Sequence, residues 1–144
     1  MDLHHELAAK LRRRLLGLLA LLFVAGAAPA CGGTSLVAPA TTYTDTFTGP
    51  MTRNFSYTYP FTAQQAGTVT ASYQSIGTDN ATVLGLALGT WNGSACDITL
   101  ENDSATVGVV VSGTVSAAGN LCLRVYDVGF VISPLTYIVQ VVHP

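Results

Sequence analysis

Apolar and polar side chains alternate along most of the chain after residue 42. Six runs carry apolar residues at every second position: Phe55, Tyr57, Tyr59 and Phe61; Val69, Ala71 and Tyr73; Leu84, Leu86 and Leu88; Val107, Val109 and Val111; Leu121, Leu123 and Val125; Tyr137, Val139 and Val141. Because successive side chains of a β-strand point to opposite faces, this period predicts half-buried strands. No helical periodicity longer than a turn occurs after residue 30.

Turn-forming residues separate these runs. They are Gly49-Pro50, Ala66-Gly67, residues 77–80, Asn92-Gly93, Gly113, Gly119-Asn120 and Ser133-Pro134. Seven or eight short strands with frequent turns over about 100 residues are typical of an antiparallel two-sheet sandwich. The pattern therefore predicts an all-β, antiparallel two-sheet sandwich over residues 43–144.

The first thirty residues follow a different pattern. A basic cluster precedes an apolar run, residues 15–28, and small residues follow at 28–30. The run is shorter than the roughly 20 residues that a membrane-spanning helix needs. Basic residues, a short apolar stretch and small residues in this order predict a helical secretory signal over residues 1–30. Residues 31–42, rich in Gly, Ala, Thr, Ser and Pro, then predict a flexible tether.

Charge narrows the classes of partner. Apolar residues make up 49% of the chain and charged residues 10%, which excludes an intrinsically disordered protein. A chain that starts at Cys31 keeps Arg53 and Arg124 against six acidic residues, a formal charge of −4. This balance disfavours nucleic acids and anionic lipid headgroups as ligands. We expect membrane contact only through an N-terminal anchor.

Cys31 stands where a bacterial lipoprotein carries its acylated N-terminal cysteine. Residues 28–33 resemble a lipobox, with Ala where Leu is commonest and Pro at the next position. Lipidation of Cys31 would explain the odd number of cysteines in an exported chain. Ordinary signal-peptidase cleavage after Ala30 or Ala40 is the alternative. The protein is thus expected to be a membrane-anchored lipoprotein at the cell envelope, or secreted.

The other two cysteines, Cys96 and Cys122, would then form a disulfide in an oxidising compartment. A cross-link of this span is worth about 3–4 kcal/mol on the chain-entropy model. A reactive thiol or a metal site is the alternative. Both are disfavoured because His143 is the one histidine after residue 30 and no CxxC spacing occurs.

Several segments resemble the strands of bacterial pre-peptidase C-terminal (PPC) domains. They are residues 113–127, the closing residues 137–144, residues 45–49 and residues 55–61. The resemblance implies a jelly-roll-like sandwich on a secreted protein, non-catalytic, with relatives that bind calcium or polymers such as collagen and glycans. Of the acidic pair that the family often carries after its third strand, this chain keeps only Asp79.

Carboxylates supply the candidate metal ligands. Asp97, Glu101 and Asp103 crowd one stretch, and Asp45 and Asp79 could add oxygens. Calcium binding needs several oxygens converging at one point. The alternative for the stretch is a solvated acidic loop. Asp45, on the face expected to point inward, could instead accept hydrogen bonds from a neighbouring turn, or its strand could be a solvent-exposed edge. No other cofactor is expected.

Trp91 and Asn92 are the candidate ligand-binding residues. An aromatic ring at a turn can stack on a sugar and the amide can donate hydrogen bonds, whereas the alternative places Trp91 against the core near the disulfide. With His143 as the one base, no nucleophile–base pair is evident, so we do not expect an enzyme.

The sequence thus predicts a non-catalytic exported module that binds an extracellular or envelope polymer, either glycan or protein. The alternatives are a purely structural envelope protein that contacts other proteins and, ranked last, a carboxylate-dependent glycosidase.

Overall fold

The structure, a computed structural model, describes residues 41–78 and 80–144. The predicted signal (1–30), Cys31, the tether as far as residue 40 and Asp79 lie outside the described residues. No helix among the described residues is long and apolar enough to cross a bilayer. The described part of the chain folds into eight strands: β1 (Tyr43–Met51), β2 (Ser56–Ala63), β3 (Gly67–Ile76), β4 (Leu84–Trp91), β5 (Cys96–Ala105), β6 (Val110–Val115), β7 (Gly119–Tyr126) and β8 (Leu135–His143).

The strands form two four-stranded antiparallel sheets. The first has the order β1-β8-β3-β6 and the second β2-β7-β4-β5. The chain changes sheet at every connection except the β4–β5 hairpin, which is the winding of an eight-stranded jelly roll. The all-β sandwich prediction is therefore confirmed. This winding places the β1–β2, β3–β4, β5–β6 and β7–β8 loops at one end of the sandwich, which we call the loop end.

The core lies between the two sheets and is built from the alternating positions. Fully buried side chains come from both layers, including Val69, Ala71, Tyr73, Leu84, Leu86, Leu123, Val125, Tyr137, Val139 and Val141. Two tyrosines are among them, and each hydroxyl has a partner. Tyr73 Oη donates to the Gly85 carbonyl at 2.9 Å, and Tyr137 Oη lies 2.6 Å from Tyr59 Oη. Burial raises the pKa of both Tyr73 and Tyr137, so both hydroxyls stay protonated.

Strand β4 is buried on both of its faces. Leu84, Leu86 and Leu88 point into the core, while Gly85, Ala87 and Gly89 face outward and are also buried. A Cβ on Gly85 would lie 2.2 Å from the Tyr126 ring, and one on Gly89 would lie 2.2 Å from the Asp97 carbonyl oxygen. The leucine–small alternation thus reflects a strand covered from outside by β7 and β5.

The disulfide joins β5 to β7 where β5 lies against β4. Cys96 and Cys122 are bonded with a Cα–Cα distance of 5.7 Å. Cys122 pairs with Gly89 and Cys96 with Trp91, so the bridge holds the start of β5 close to the outer face of β4. The predicted pairing is confirmed.

One strand was missed by the sequence pattern. Residues 96–105, interpreted as a possible acidic loop, form β5 instead. Its register against β4 shifts between Leu84 and Leu86 and again between Leu88 and Gly89. Each shift breaks the period of two, which is why simple alternation did not reveal this strand.

Several predicted turns and boundaries were wrong. Gly49-Pro50 lies inside β1, Gly113 lies inside β6, and Gly119-Asn120 begins β7. Pro50 is tolerated because β1 is an edge strand, where a missing N–H can face outward. The strand predicted over residues 107–111 is found at Val110–Val115.

Candidate functional site

The loop end presents the most exposed large apolar side chains among residues 41–78 and 80–144. Ile132 is 94% exposed and Phe130 63%, and both belong to the β7–β8 loop, residues 127–134. Phe55 in the β1–β2 loop and Val107 in the β5–β6 loop are further exposed apolar side chains at the same end. Exposed apolar side chains grouped on one surface mark interaction sites, whereas scattered ones do not.

Asp127 fixes the β7–β8 loop at its base. Its Oδ1 accepts hydrogen bonds from the backbone N–H groups of Gly129, at 2.8 Å, and Val131, at 3.1 Å. Its Oδ2 accepts one from the N–H of Asn54 at 2.8 Å, and its own N–H donates to the Phe55 carbonyl at 3.0 Å. One carboxylate therefore organises its own loop and ties that loop to the β1–β2 turn.

The exposed side chains of Phe130 and Ile132, which we call the tips, flank a buried residue. Val131 is 1% exposed and belongs to the core cluster, while its neighbours Phe130 and Ile132 point to solvent. Gly129 precedes them with a φ of 102°, a backbone conformation that favours glycine. A cleft of about 520 Å³ beside the tips is lined by residues of this loop, the β3–β4 loop and the end of β1. The tips are thus presented by an anchored loop.

The electrostatics of Asp127 follow from these bonds. Burial acts to raise its pKa, but the hydrogen bonds from the backbone N–H groups of Asn54, Val131, Gly129 and Phe130 outweigh burial and lower the pKa below its ordinary value. N–H donors favour the charged form of a carboxylate. At neutral pH the group is ionised and accepts from all its partners.

We expect the loop anchor to weaken in acid. A carboxylate with a lowered pKa in the folded state stabilises that state above its unfolded pKa, and this stabilisation is lost as the pH falls through the lowered value. Amide NMR signals of Gly129 and Val131 should therefore shift together at acidic pH and report one common titration. An Asp127→Asn variant should abolish this titration. Persistence of the same titration in the variant would assign it to another group.

The predicted sugar-binding pair lies at the opposite end, in the β4–β5 hairpin. Trp91 is half-buried and pairs with Cys96, which places it beside the disulfide. Asn92 Oδ1 accepts hydrogen bonds from the backbone N–H groups of Ser94 and Ala95, and its amide donates to Asp97. These bonds hold the turn and already occupy the polar atoms of Asn92. A ligand role for the pair stays a prediction.

The predicted metal ligands are spread over several elements. Asp97, Glu101 and Asp103 are exposed on β5, and Asp103 accepts a hydrogen bond from Tyr126 Oη. Asp45, on the edge strand β1, lies 3.1 Å from Nε2 of the buried His143, so its partner is a residue of β8 and not a neighbouring turn. Within residues 41–78 and 80–144, no three acidic, His or Cys side chains converge on a point that could hold a metal ion. Calcium binding stays a prediction.

Aromatic rings line the edge where β1 and β2 meet. Phe47 stacks on Tyr59 with ring centroids 4.7 Å apart, and Tyr59 stacks on Tyr57 at 6.5 Å. A ring that stacks on a sugar needs a free face. Because these rings cover one another's faces, this edge closes the sandwich and is a poor platform for a glycan.

Comparison with known proteins gives a likeness of fold. No protein-family model matches the sequence, and no curated protein matches it significantly. A mitogen derived from Yersinia pseudotuberculosis is similar with a TM-score of 0.51 and 10% identity, over 72% of this chain and 88% of that one. Aeromonas hydrophila PliG, a periplasmic lysozyme inhibitor of g-type lysozyme, gives a TM-score of 0.47 and 19% identity, over 69% and 85%. At 10% identity the likeness to the mitogen supports the sandwich fold alone.

Asp127, Phe130 and Ile132 are not among the site residues predicted from the sequence. A local signal for them does exist: Asp followed two residues later by Gly is typical of a turn in which the carboxylate accepts backbone hydrogen bonds. Residues 130–132 are then three consecutive apolar residues between Gly129 and the Ser133-Pro134 turn, so the alternation of apolar and polar positions is broken there. An apolar residue in a turn-rich segment is a usable signal for an exposed contact residue.

Proposed function

We propose that this chain is an exported, non-catalytic module that binds a protein partner through the loop end. The observation that carries the proposal is the pair Phe130 and Ile132, exposed on a loop that Asp127 holds in place. Aromatic and large aliphatic side chains presented on a fixed backbone lose little conformational entropy on binding. A protein surface offers the apolar pocket that such side chains need.

Export is supported by the disulfide, since such bonds persist in oxidising compartments and are rare in the cytosol. The signal over residues 1–30 and lipidation of Cys31 are part of the same proposal. The resemblance to PPC domains, which are non-catalytic appendages, agrees with it.

A protein partner is favoured over a glycan for a physical reason. Carbohydrate sites combine free aromatic faces with polar groups that satisfy the sugar hydroxyls. At the loop end the tips are apolar, and the carboxylate of Asp127 is already engaged by backbone donors. Threonine and serine hydroxyls line the adjacent cleft, so the preference for a protein rests on the exposed apolar side chains of Phe130 and Ile132.

Photo-crosslinking in the cells that export the protein tests the proposal. p-Benzoylphenylalanine replaces Phe130 in one variant and Tyr43, an exposed aromatic residue at the start of β1, in a matched control. We expect one discrete protein adduct at position 130, at least 10-fold more abundant than any at position 43. Adding Ile132→Ser should reduce that adduct several-fold, because half of the apolar contact is removed.

Three results would contradict this assignment. Equal adducts at both positions would mean non-specific collisions, and the absence of any adduct would remove the loop as a contact site. An adduct that resists proteases and releases sugars on hydrolysis would restore the glycan alternative.

A further inference from the structure

The tip of the β4–β5 hairpin holds an asparagine that is followed directly by a glycine. Asn92 and Gly93 are both exposed, and Gly93 has a φ of 100°. A Cβ on Gly93 would meet no atom within 4 Å, so the space around this residue is open. The other asparagines precede residues that carry side chains: Asn54-Phe55, Asn80-Ala81, Asn102-Asp103 and Asn120-Leu121. Asn92 is therefore chemically distinct among the asparagines of the chain.

An asparagine side chain can react with the backbone nitrogen of the residue that follows it. The Gly93 nitrogen attacks Cγ of Asn92, a bond between these two atoms forms, and the bond from Cγ to Nδ2 breaks. The proton of the Gly93 N–H leaves with the side-chain nitrogen as ammonia, and a cyclic imide remains. Water then opens the ring at Cγ, which gives aspartate, or at the backbone carbonyl, which gives isoaspartate. Glycine favours the attack because it has no side chain and adopts conformations that are closed to other residues.

The hairpin turn directs three hydrogen bonds at the carbonyl group that is attacked. Asn92 Oδ1 accepts from the backbone N–H of Ser94 at 3.0 Å, from its hydroxyl at 3.1 Å and from the N–H of Ala95 at 2.9 Å. Attack at Cγ places negative charge on this oxygen, and donors that are already in position stabilise such a charge. The folded turn therefore polarises Cγ of Asn92 toward a nucleophile.

The reaction replaces the amide of Asn92 with a carboxylate. In the structure that amide donates a hydrogen bond from Nδ2 to Oδ2 of Asp97 at 3.3 Å. The aspartate product has no donor there, so two carboxylates of like charge face each other. The isoaspartate product adds a carbon atom to the backbone of a turn that the Asn92 N–H closes onto the Ala95 carbonyl at 3.2 Å. Both products thus disturb contacts that asparagine makes.

We propose that Asn92 deamidates spontaneously in the folded protein, through attack by Gly93 and with water as the co-reactant, and that Asp97 opposes the charge of the product. The reaction needs no enzyme, oxidant or cofactor, so the fraction of modified molecules increases with the age of the protein. The site lies at the opposite end of the sandwich from the loop end, and it does not depend on the proposed function.

Peptide mapping by mass spectrometry tests the reaction. The folded protein is incubated at mildly alkaline pH in heavy-oxygen water, so that ring opening incorporates one heavy oxygen atom into the product. We expect Asn92 to deamidate at least 10-fold faster than each of the other four asparagines, which are internal controls in the same digest. The rate should rise with pH, because the Gly93 nitrogen is a nucleophile only after it loses its proton.

A pair of serine variants tests the contribution of the turn. Ser94→Ala removes the hydroxyl that donates to Asn92 Oδ1 and should slow deamidation several-fold. Ser116→Ala, at an exposed serine in the β6–β7 turn, should leave the rate unchanged. Alanine at Gly93 is not a clean control, because a φ of 100° is strained for a residue with a side chain. Unchanged thermal melting identifies serine variants that are folded.

A double-mutant cycle tests the role of Asp97 in the product. A carboxylate at position 92 can still accept from the Ser94 and Ala95 N–H groups, so the contact with Asp97 is the feature to isolate. We expect Asn92→Asp to lower the melting midpoint by a few degrees in the unaltered protein. In an Asp97→Asn background the same substitution should not lower it, because the amide and the carboxylate have exchanged places.

Three results would overturn the proposal. Deamidation at Asn92 no faster than at the other asparagines would remove the site. An unchanged rate in Ser94→Ala would mean that the hydroxyl of the turn does not assist the attack. Equal melting losses from Asn92→Asp in the two backgrounds would show that Asp97 does not oppose the product.

Discussion

Replacing Cys96 and Cys122 together with alanine is expected to lower the free energy of unfolding by about 3 kcal/mol. The two residues are separated by 26 positions, and a loop of that size loses about this much configurational entropy when it is closed in the unfolded chain. For a domain of about 100 residues, the melting midpoint should fall by about 12–24 °C. Urea unfolding and calorimetry of the two proteins measure the difference.

Reduction of the unaltered protein provides the control for the disulfide. Dithiothreitol should move its unfolding transition to that of the double alanine variant and should leave the variant itself unchanged. A loss below about 1 kcal/mol would mean that packing between β5 and β4 holds this region without the bond.

Gly89→Ala is expected to destabilise the domain by about 2–3 kcal/mol, although it adds one methyl group. The new Cβ would lie 2.2 Å from the carbonyl oxygen of Asp97 and 3.0 Å from the Cα of Ile98. Both atoms belong to the backbone of β5, so relief requires the strand to move, and overpacking of this kind costs about 1–3 kcal/mol or more. Urea unfolding measures the change.

Gly119→Ala is the matched control for this substitution. Gly119 also lies in a strand, as the first residue of β7, and a Cβ there would meet no atom within 4 Å. We expect a change of less than about 0.5 kcal/mol, as for an ordinary surface substitution. Equal effects at the two glycines would show that β5 does not lie rigidly over β4.

The effects of removing the disulfide and of Gly89→Ala on the free energy of unfolding should be coupled. The disulfide and the glycine both act on the start of β5, because Gly89 pairs with Ile98 of β5 and with Cys122 of β7, which is bonded to Cys96. In a protein that already lacks the bond, β5 can move aside more easily, and Gly89→Ala should cost less. Residues that share a backbone segment commonly deviate from additivity by 0.5 kcal/mol or more.

Alternation predicted the strands that have one buried and one exposed face. β7 and β8 follow a regular period, and β3 follows it as far as Tyr73, after which its register against β8 shifts. Alternation did not predict β5, because bulges shift the register of this strand and its inner face includes the polar Asn102. The Gly113 turn was wrong for a related reason: the glycine marks a gap filled by Leu100 from another strand and not a reversal of the chain.

The candidate site could be predicted only in part. The pairing of Cys96 with Cys122 followed from counting cysteines, and it is confirmed. The exposure of the Phe130 side chain could not be predicted, because the adjacent Val131 has the same apolar character and is buried. Which of two neighbouring apolar residues faces solvent depends on the loop's anchoring by Asp127, which includes a bond from Asn54, 73 positions away.

The amino-acid sequence is sufficient to predict that the chain after residue 42 forms strands of a β-sandwich, because side-chain alternation is a local property of extended backbone. The alternation of leucine with small residues in β4 is also visible in the sequence, but the groups that cover the small residues are not. The tertiary structure alone decided which strands became edges, where the cleft opened and which loop carried exposed apolar tips. These features depend on the order in which strands pair, and strand order is set by contacts between residues far apart in the chain.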